Sequence, residues 1–172
     1  MSYIYKPTDD VQSVLSQLSA LGLTNSIVGG VLRSTVLGGE TSDIDIAVLC
    51  NTSNIDSISS SLNSSPVHIH CSEYSEQSGF LADWRLYGGT VNVIAYNQQE
   101  YPTLNALVDA FDININSFLW DAVSGIINLN GFDGKNVKPC SYGIGRRTPD
   151  RIKRFVREYP DLNWTEVLLD AL

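Results

Sequence analysis

The stretch from Ile27 to Leu49 constrains the fold most. It reads as an apolar strand, a Gly29-Gly30 turn, a short helix from Val31 to Leu37, a loop at Gly38-Gly39-Glu40-Thr41, and a second strand bearing Asp43 and Asp45. Alternation along that second strand puts Asp43, Asp45 and Ala47 on one face and Ile44, Ile46 and Val48 on the other. Alternate strand residues stand about 6.5–7 Å apart, so two flexible carboxylates can converge on one divalent cation, and relief of their repulsion favours its presence. A hard, oxygen-seeking ion such as Mg2+, or Mn2+, suits such ligands. Opposite them, the Gly29-Gly30 turn allows close backbone approach and aims amide donors from a helix N-terminus, which suits a triphosphate. The same residues, taken alone, also describe a hairpin whose acids merely face solvent.

A chain of 172 residues, 43% of them hydrophobic, can build one domain with a full core and a small helical appendage. Polar residues follow Met1 and no long apolar run appears, so neither a signal peptide nor a membrane span is expected. Cys50, Cys71 and Cys140 are odd in number, far apart and without CxxC spacing, and read as reduced thiols of a cytoplasmic protein. The net charge of −8 works against binding a polyanion, yet six of the eleven basic residues lie between Arg146 and Arg157. A nucleic acid or triphosphate would meet the chain there; the other reading is a solvated helix face with some acidic partners.

The run Gly29-Gly30-Val31-Leu32-Arg33-Ser34-Thr35-Val36-Leu37-Gly38, followed by Asp43-Ile44-Asp45, resembles the head-domain signature of the polymerase-β nucleotidyltransferase superfamily. The branch it resembles is the class II tRNA nucleotidyltransferases, or CCA-adding enzymes, and bacterial poly(A) polymerases. Ser34 stands where that family usually has an aspartate. The resemblance implies an α+β fold, a mixed central sheet of about five strands backed by helices, with residues 1–145 as the head and 146–172 as a partial helical neck. It also implies that Asp43 and Asp45 hold the metal and act in catalysis, while Gly29, Gly30, Arg33 and Ser42 bind the nucleotide.

Along the rest of the chain, Val11, Val14, Leu15, Leu18 and Leu21 recur at helical spacing after Thr8-Asp9-Asp10 and stop at Gly22, predicting an amphipathic helix behind the active face. A weaker helix between Asn51 and Ser65 ends at Pro66. Val67 to Cys71 alternates as a strand with His68 and His70 on one face; no third ligand lies nearby, so they read as surface or pocket-edge residues. Phe80 to Leu86 and Thr90 to Tyr96 read as strands joined at Tyr87-Gly88-Gly89. In the related enzymes the second of these strands carries a glutamate and ends in an arginine; here Asn92 and Asn97 stand at those positions, leaving Asn92 as a third, uncharged metal ligand.

A helix through Leu104, Leu107 and Val108 leads into Phe111-Asp112-Ile113-Asn114-Ile115-Asn116-Ser117-Phe118, which resembles a family motif with both arginines replaced by Ala110 and Phe111. Asp112 is thereby a candidate substitute acid and Asn116 a candidate nucleotide contact; without the resemblance they read as polar residues on a helix surface. Gly125 to Gly134 resembles the family's short hairpin and Gly-rich turn, with Asn128 where aspartate is common. Thr148 to Arg157 resembles the neck helix: Thr148 caps it, Pro149 fits its first turn, and Arg151, Arg154 and Arg157 share a face that can meet phosphates.

The implied activity is Mg2+- or Mn2+-dependent transfer of an NMP from an NTP to a hydroxyl acceptor, an RNA or tRNA 3′ end, with release of pyrophosphate. The partners are then NTP and RNA, with no membrane, and the chain is a monomer or homodimer. No base-selecting set of residues follows Arg157, so base choice and independent CCA addition do not follow. Two other readings stand beside this one: a degenerate nucleotide-binding or protein-interaction module, and a toxin-type transferase that modifies protein.

Overall fold

The computed structural model describes residues 3–40, 43–69, 79–140 and 148–171. Seven strands form one sheet in the order β3-β4-β5-β2-β1-β6-β7, where β1 is Thr24–Val28, β2 Ile44–Cys50, β3 His68–Ile69, β4 Phe80–Leu86, β5 Val91–Asn97, β6 Phe118–Asp121 and β7 Gly125–Asn128. Among the described residues only β2 and β5 run parallel; the other neighbours are antiparallel. The architecture is α+β, as expected, but the sheet is wider than five strands. Phe118 to Asp121, within and just after the stretch expected to carry a polar motif, extends the sheet instead: β6 pairs with β1 at Val28↔Leu119 and with β7 along its length, so β1 is not left as an open edge.

Thr8 caps the first helix, α1 (Asp9–Ala20), its hydroxyl accepting from the Val11 amide. The Val11, Val14 and Leu18 stripe is buried against Ile27, Ile46, Val48, Trp84 and Val93, joined by Ile55 and Ile58 of α3 (Ile55–Leu62). Each such fully buried aliphatic side chain contributes about 1.5–3 kcal/mol relative to exposure. Asn63, in the left-handed region at φ 49°, ends α3. The other sheet face carries Val28, Ala47, Leu49, Ile94, Tyr96 and Leu119 under α4 (Leu104–Asp109), capped by Thr103. This second face is the one on which Asp45 and Asn92 lie, because residues at i and i+2 of a strand point the same way. Helix α1 therefore packs behind the site, as its stripe predicts.

A third apolar cluster joins the C-terminal helices to the rest. Ile152, Phe155 and Tyr159, on or just after α5 (Thr148–Glu158), and Trp164 and Val167, at α6 (Thr165–Ala171), pack on Ile113, Ile115 and Val137. Backbone bonds reinforce the seam: the Val137 amide donates to Asn163 O at 2.9 Å and the Asn163 amide to Lys135 O at 2.9 Å. Cys50 and Cys140 are buried free thiols, and burial pushes each up to about 11. Among the described residues no helix is long and apolar enough to cross a membrane.

Candidate active site

Strand β1 ends at Val28, directly opposite Asp45 on β2, and Asp45 is in turn in register with Asn92 on β5. Chain reversal at Gly29 brings the start of α2 (Gly30–Leu37) onto this row. Gly29 has φ 74° and ψ −131°, a conformation that L side chains rarely adopt, and a Cβ placed there would lie 3.7 Å from Asp45 Oδ2. Glycine is thus favoured by the turn, while a Cβ there would make only an ordinary contact with the carboxylate. The Leu32 and Arg33 amides are used by Gly29 O, so the Gly30 and Val31 amides are the first-turn donors of α2 outside that bonding.

Asn92 sits between the two acids. Its Nδ2 donates to Asp43 Oδ2 and to Asp45 Oδ1, each at 3.2 Å, which brings together the three residues expected to form the metal set. The residue is 7% exposed, and its Oδ1 has no hydrogen-bond partner. A buried carbonyl oxygen left without a partner costs free energy. Burial holds the Asp45 carboxyl above its ordinary value; the Asn92 bond opposes that shift, Asp43 adds to it, and Arg151 and Arg33 oppose it. Two carboxylates plus an orphaned amide oxygen fit a hard divalent cation, which keeps further positions for water or phosphate. A half-turn of the Asn92 amide exchanges donor for acceptor, so the group that screens the carboxylates from one another can ligate an ion. Among the described residues no cluster of three or more His, Cys, Asp or Glu side chains could hold a metal.

The remaining candidates form a second group. Arg33, 7% exposed on α2, donates through Nη1 to Asn116 Oδ1 at 2.6 Å. Asn116, itself 2% exposed, donates through Nδ2 to Asp112 Oδ1 at 2.7 Å, and that oxygen also accepts from the Ile113 amide at 2.9 Å. Asp112 Oδ2 faces Arg151 Nη1 of α5 at 3.5 Å. The guanidinium carbons of Arg33, Arg154 and Arg151 lie 4.3, 4.9 and 5.5 Å from the centroid of the buried Phe155 ring. Burial pulls the Arg33 guanidinium below its ordinary value, partly offset by Tyr159 and Glu158. Its Nε has no partner.

Asp112 and Asn116 are therefore drawn into the seam between α2 and α5, and Asn92 rather than Asp112 reaches the paired carboxylates. Asn116 lies in a buried 3-10 turn, Asn114–Asn116, not on the helix surface that the sequence alone suggests. Arg151 and Arg154 are exposed on α5 beyond their ring contacts. Ser42, His70, Cys71, Arg146 and Arg147 lie outside the described residues. Asn128 bonds Asn114 O at 2.8 Å and receives the Phe132 amide at 2.7 Å, fastening the Gly-rich turn.

Two features escape sequence reasoning. Arg85, exposed on β4, is in register with Asn92 and so projects on the same face of the sheet; the short Tyr87–Gly89 connection, which fixes the hairpin register, is the signal that could have found it. Asp83, 2% exposed, meets His68 Nδ1 at 2.8 Å across β3 and β4, so His68 is a carboxylate-paired edge residue.

No protein-family model matches the chain, and no curated protein matches it in sequence. Solved structures do match in shape. A CCA-adding enzyme in complex with ATP aligns with TM-score 0.55 and 18% identity over 88% of this chain and 37% of its own. An apo tRNA-processing enzyme gives 0.54 and 18% over 90% and 49%. The Bacillus stearothermophilus CCA-adding enzyme in complex with CTP gives 0.53 and 19% over 78% and 34%. The chain thus spans less than half of each of these proteins, and at such identities the likeness is one of fold. The chain therefore has, over most of its length, the fold of the part of these CCA-adding and tRNA-processing enzymes with which it aligns.

Proposed function

We propose that this chain is a metal-dependent nucleotidyltransferase that moves an NMP from an NTP to an acceptor hydroxyl, an RNA 3′ end, and releases pyrophosphate. The observation that carries this reading is the row Val28, Asp45, Asn92 with the Gly29 turn at its end: a positive-φ turn beside a carboxylate that shares one amide with a second carboxylate. Asp43, Asp45 and the Asn92 amide oxygen would hold Mg2+ or Mn2+. Such an ion, when bound, lowers the pKa of the acceptor hydroxyl and offsets charge at the α-phosphorus.

The chain's own residues do the rest. Amides at the Gly29-Gly30 turn donate to the triphosphate, and the dipole of α2 adds to that attraction. Arg33 contributes a fixed positive charge behind the turn, held in place by Asn116 and Phe155. Asp112 acts as a positioning residue: it orients Asn116 and anchors Arg151. Arg151 and Arg154 present charge from α5 to the phosphates of the nucleotide or of the RNA. Residues 1–145 serve as the head and 146–172 as a partial neck, in a cytoplasmic protein.

Incorporation of label from each of the four NTPs, with Mg2+ and with RNA or protein as acceptor, tests the proposal. Label enters RNA with the native chain and is lost in the Asp43→Ala/Asp45→Ala variant; transfer into protein alone would instead support a toxin-type acceptor. The bond from Asn92 to both carboxylates favours a second reading, because this neutral clasp screens the acids without an ion. NTP binding without transfer would identify such a nucleotide-binding module.

A further inference from the structure

Across the sheet, one register row reads Val28, Asp45, Asn92, Arg85. Directly opposed side chains in an antiparallel pair have Cβ atoms about 4.5–5.5 Å apart, so Arg85 stands immediately beyond Asn92 on the face that bears the acids. Arg85 is exposed and makes no ion pair among the described residues. The row therefore changes from negative through neutral to positive within three strands.

Two cations about 3.5–4 Å apart need carboxylate oxygens enough to serve both. Among the described residues this site brings together two carboxylates, and the third position is an amide whose Oδ1 is orphaned. Asp112 cannot supply the missing oxygen, because Asp112 Oδ1 takes the Ile113 amide and Asn116 while Asp112 Oδ2 faces Arg151. Arg151 and Arg33 already act on Asp45 from the helix side, and Arg85, in register with Asn92, adds positive charge on the strand side of the row, which disfavours a second ion there.

We propose, resting on the transferase reading above, that the site binds a single divalent cation between Asp43, Asp45 and Asn92 Oδ1, and that Arg85 supplies the positive charge on the side of the row away from the Gly29-Gly30 turn. Arg85 then meets the anionic backbone of the acceptor, while the ion serves the triphosphate. The site differs in this from a two-ion phosphoryl-transfer centre.

Electron paramagnetic resonance of Mn2+ added to the full chain with a non-hydrolysable NTP analogue tests this without reference to turnover. One bound Mn2+ per chain, with the spectrum of an isolated ion, is expected. Asn92→Asp should admit a second ion coupled to the first, and Arg85→Ala combined with Asn92→Asp should bind that second ion about fivefold more tightly than Asn92→Asp alone. Two coupled ions in the native chain would overturn the inference and leave the transferase reading standing. Equal binding in Asn92→Asp with and without Arg85 would overturn the role of Arg85. No Mn2+ beyond that retained by the Asp43→Ala/Asp45→Ala variant would overturn both readings. The native spectrum decides the stoichiometry even if Asn92→Asp folds poorly.

Discussion

The carboxylate row on the sheet and the arginine seam under α5 both bury polar groups, but they settle their hydrogen bonds differently. In the seam opposite charges meet: Asn116 bridges Arg33 and Asp112, Asp112 Oδ2 faces Arg151, and the Phe155 ring packs against three guanidinium groups, although Arg33 Nε and the Tyr159 hydroxyl have no hydrogen-bond partner. In the row two like charges lie on either side of one amide, and the oxygen of that amide has no hydrogen-bond partner. Paired opposite charges hold parts of a chain together, whereas like charges side by side repel and favour a cation between them. The seam joins α2 to α5, and the row is where the proposed ion would act.

The sharpest way to break this comparison is Asp45→Asn. Transfer should fall by about 10³-fold, the several kcal/mol that an ion supplies to such a reaction. The same substitution should raise the melting temperature of the ion-free chain. Burial holds the Asp45 carboxyl above its ordinary value, so its ionised form opposes folding; that penalty is absent below the ordinary carboxylate range and complete above the folded-state pKa. Stability of the ion-free chain, followed by chemical denaturation, should accordingly fall as pH rises through that window in the native protein, and fall less in Asp45→Asn. Equal pH profiles would mean that Asp45 is not strained without an ion.

Asn116→Ala acts on the other region. It strips a buried guanidinium of its acceptor and should cost about 2–4 kcal/mol of stability in urea denaturation. Full stability in this variant would show the seam to be decoration. Gly29→Ala, strained at φ 74°, should cost about 1–2 kcal/mol and weaken NTP binding at the same time. Loss of stability alone would remove the turn from the site. Arg154→Ala should have the smallest effect, a roughly threefold weaker RNA affinity at low salt and a shallower salt dependence, because its charge is exposed and screened.

The local chemistry of the row was legible in the sequence because it follows short-range rules. Period-2 alternation put Asp43 and Asp45 on one face, and the glycine pair marked a turn that needs positive φ. The amphipathic stripe of α1 and the Phe80–Leu86 hairpin followed in the same way. The seam was not legible, since Arg33, Asn116 and Phe155 are far apart in the chain and only the packed fold says that they meet. Asp112 and Asn116 looked like surface or nucleotide groups because nothing local distinguishes a polar residue facing solvent from one facing a buried arginine. Phe118 to Asp121 was missed as a strand for a similar reason: it is short, and pairing with β1 and β7 makes it one.

The central claim is that the row is an ion site completed by Asn92. Anomalous diffraction from crystals grown with Mn2+ and a non-hydrolysable NTP tests it most directly. The account predicts one peak within bonding distance of an Asp43 oxygen, an Asp45 oxygen and Asn92 Oδ1, with the amide turned so that its oxygen faces the ion and the triphosphate lies against the Gly29-Gly30 turn. A nucleotide bound there with no peak between the carboxylates, and Asn92 still donating to both, would contradict it.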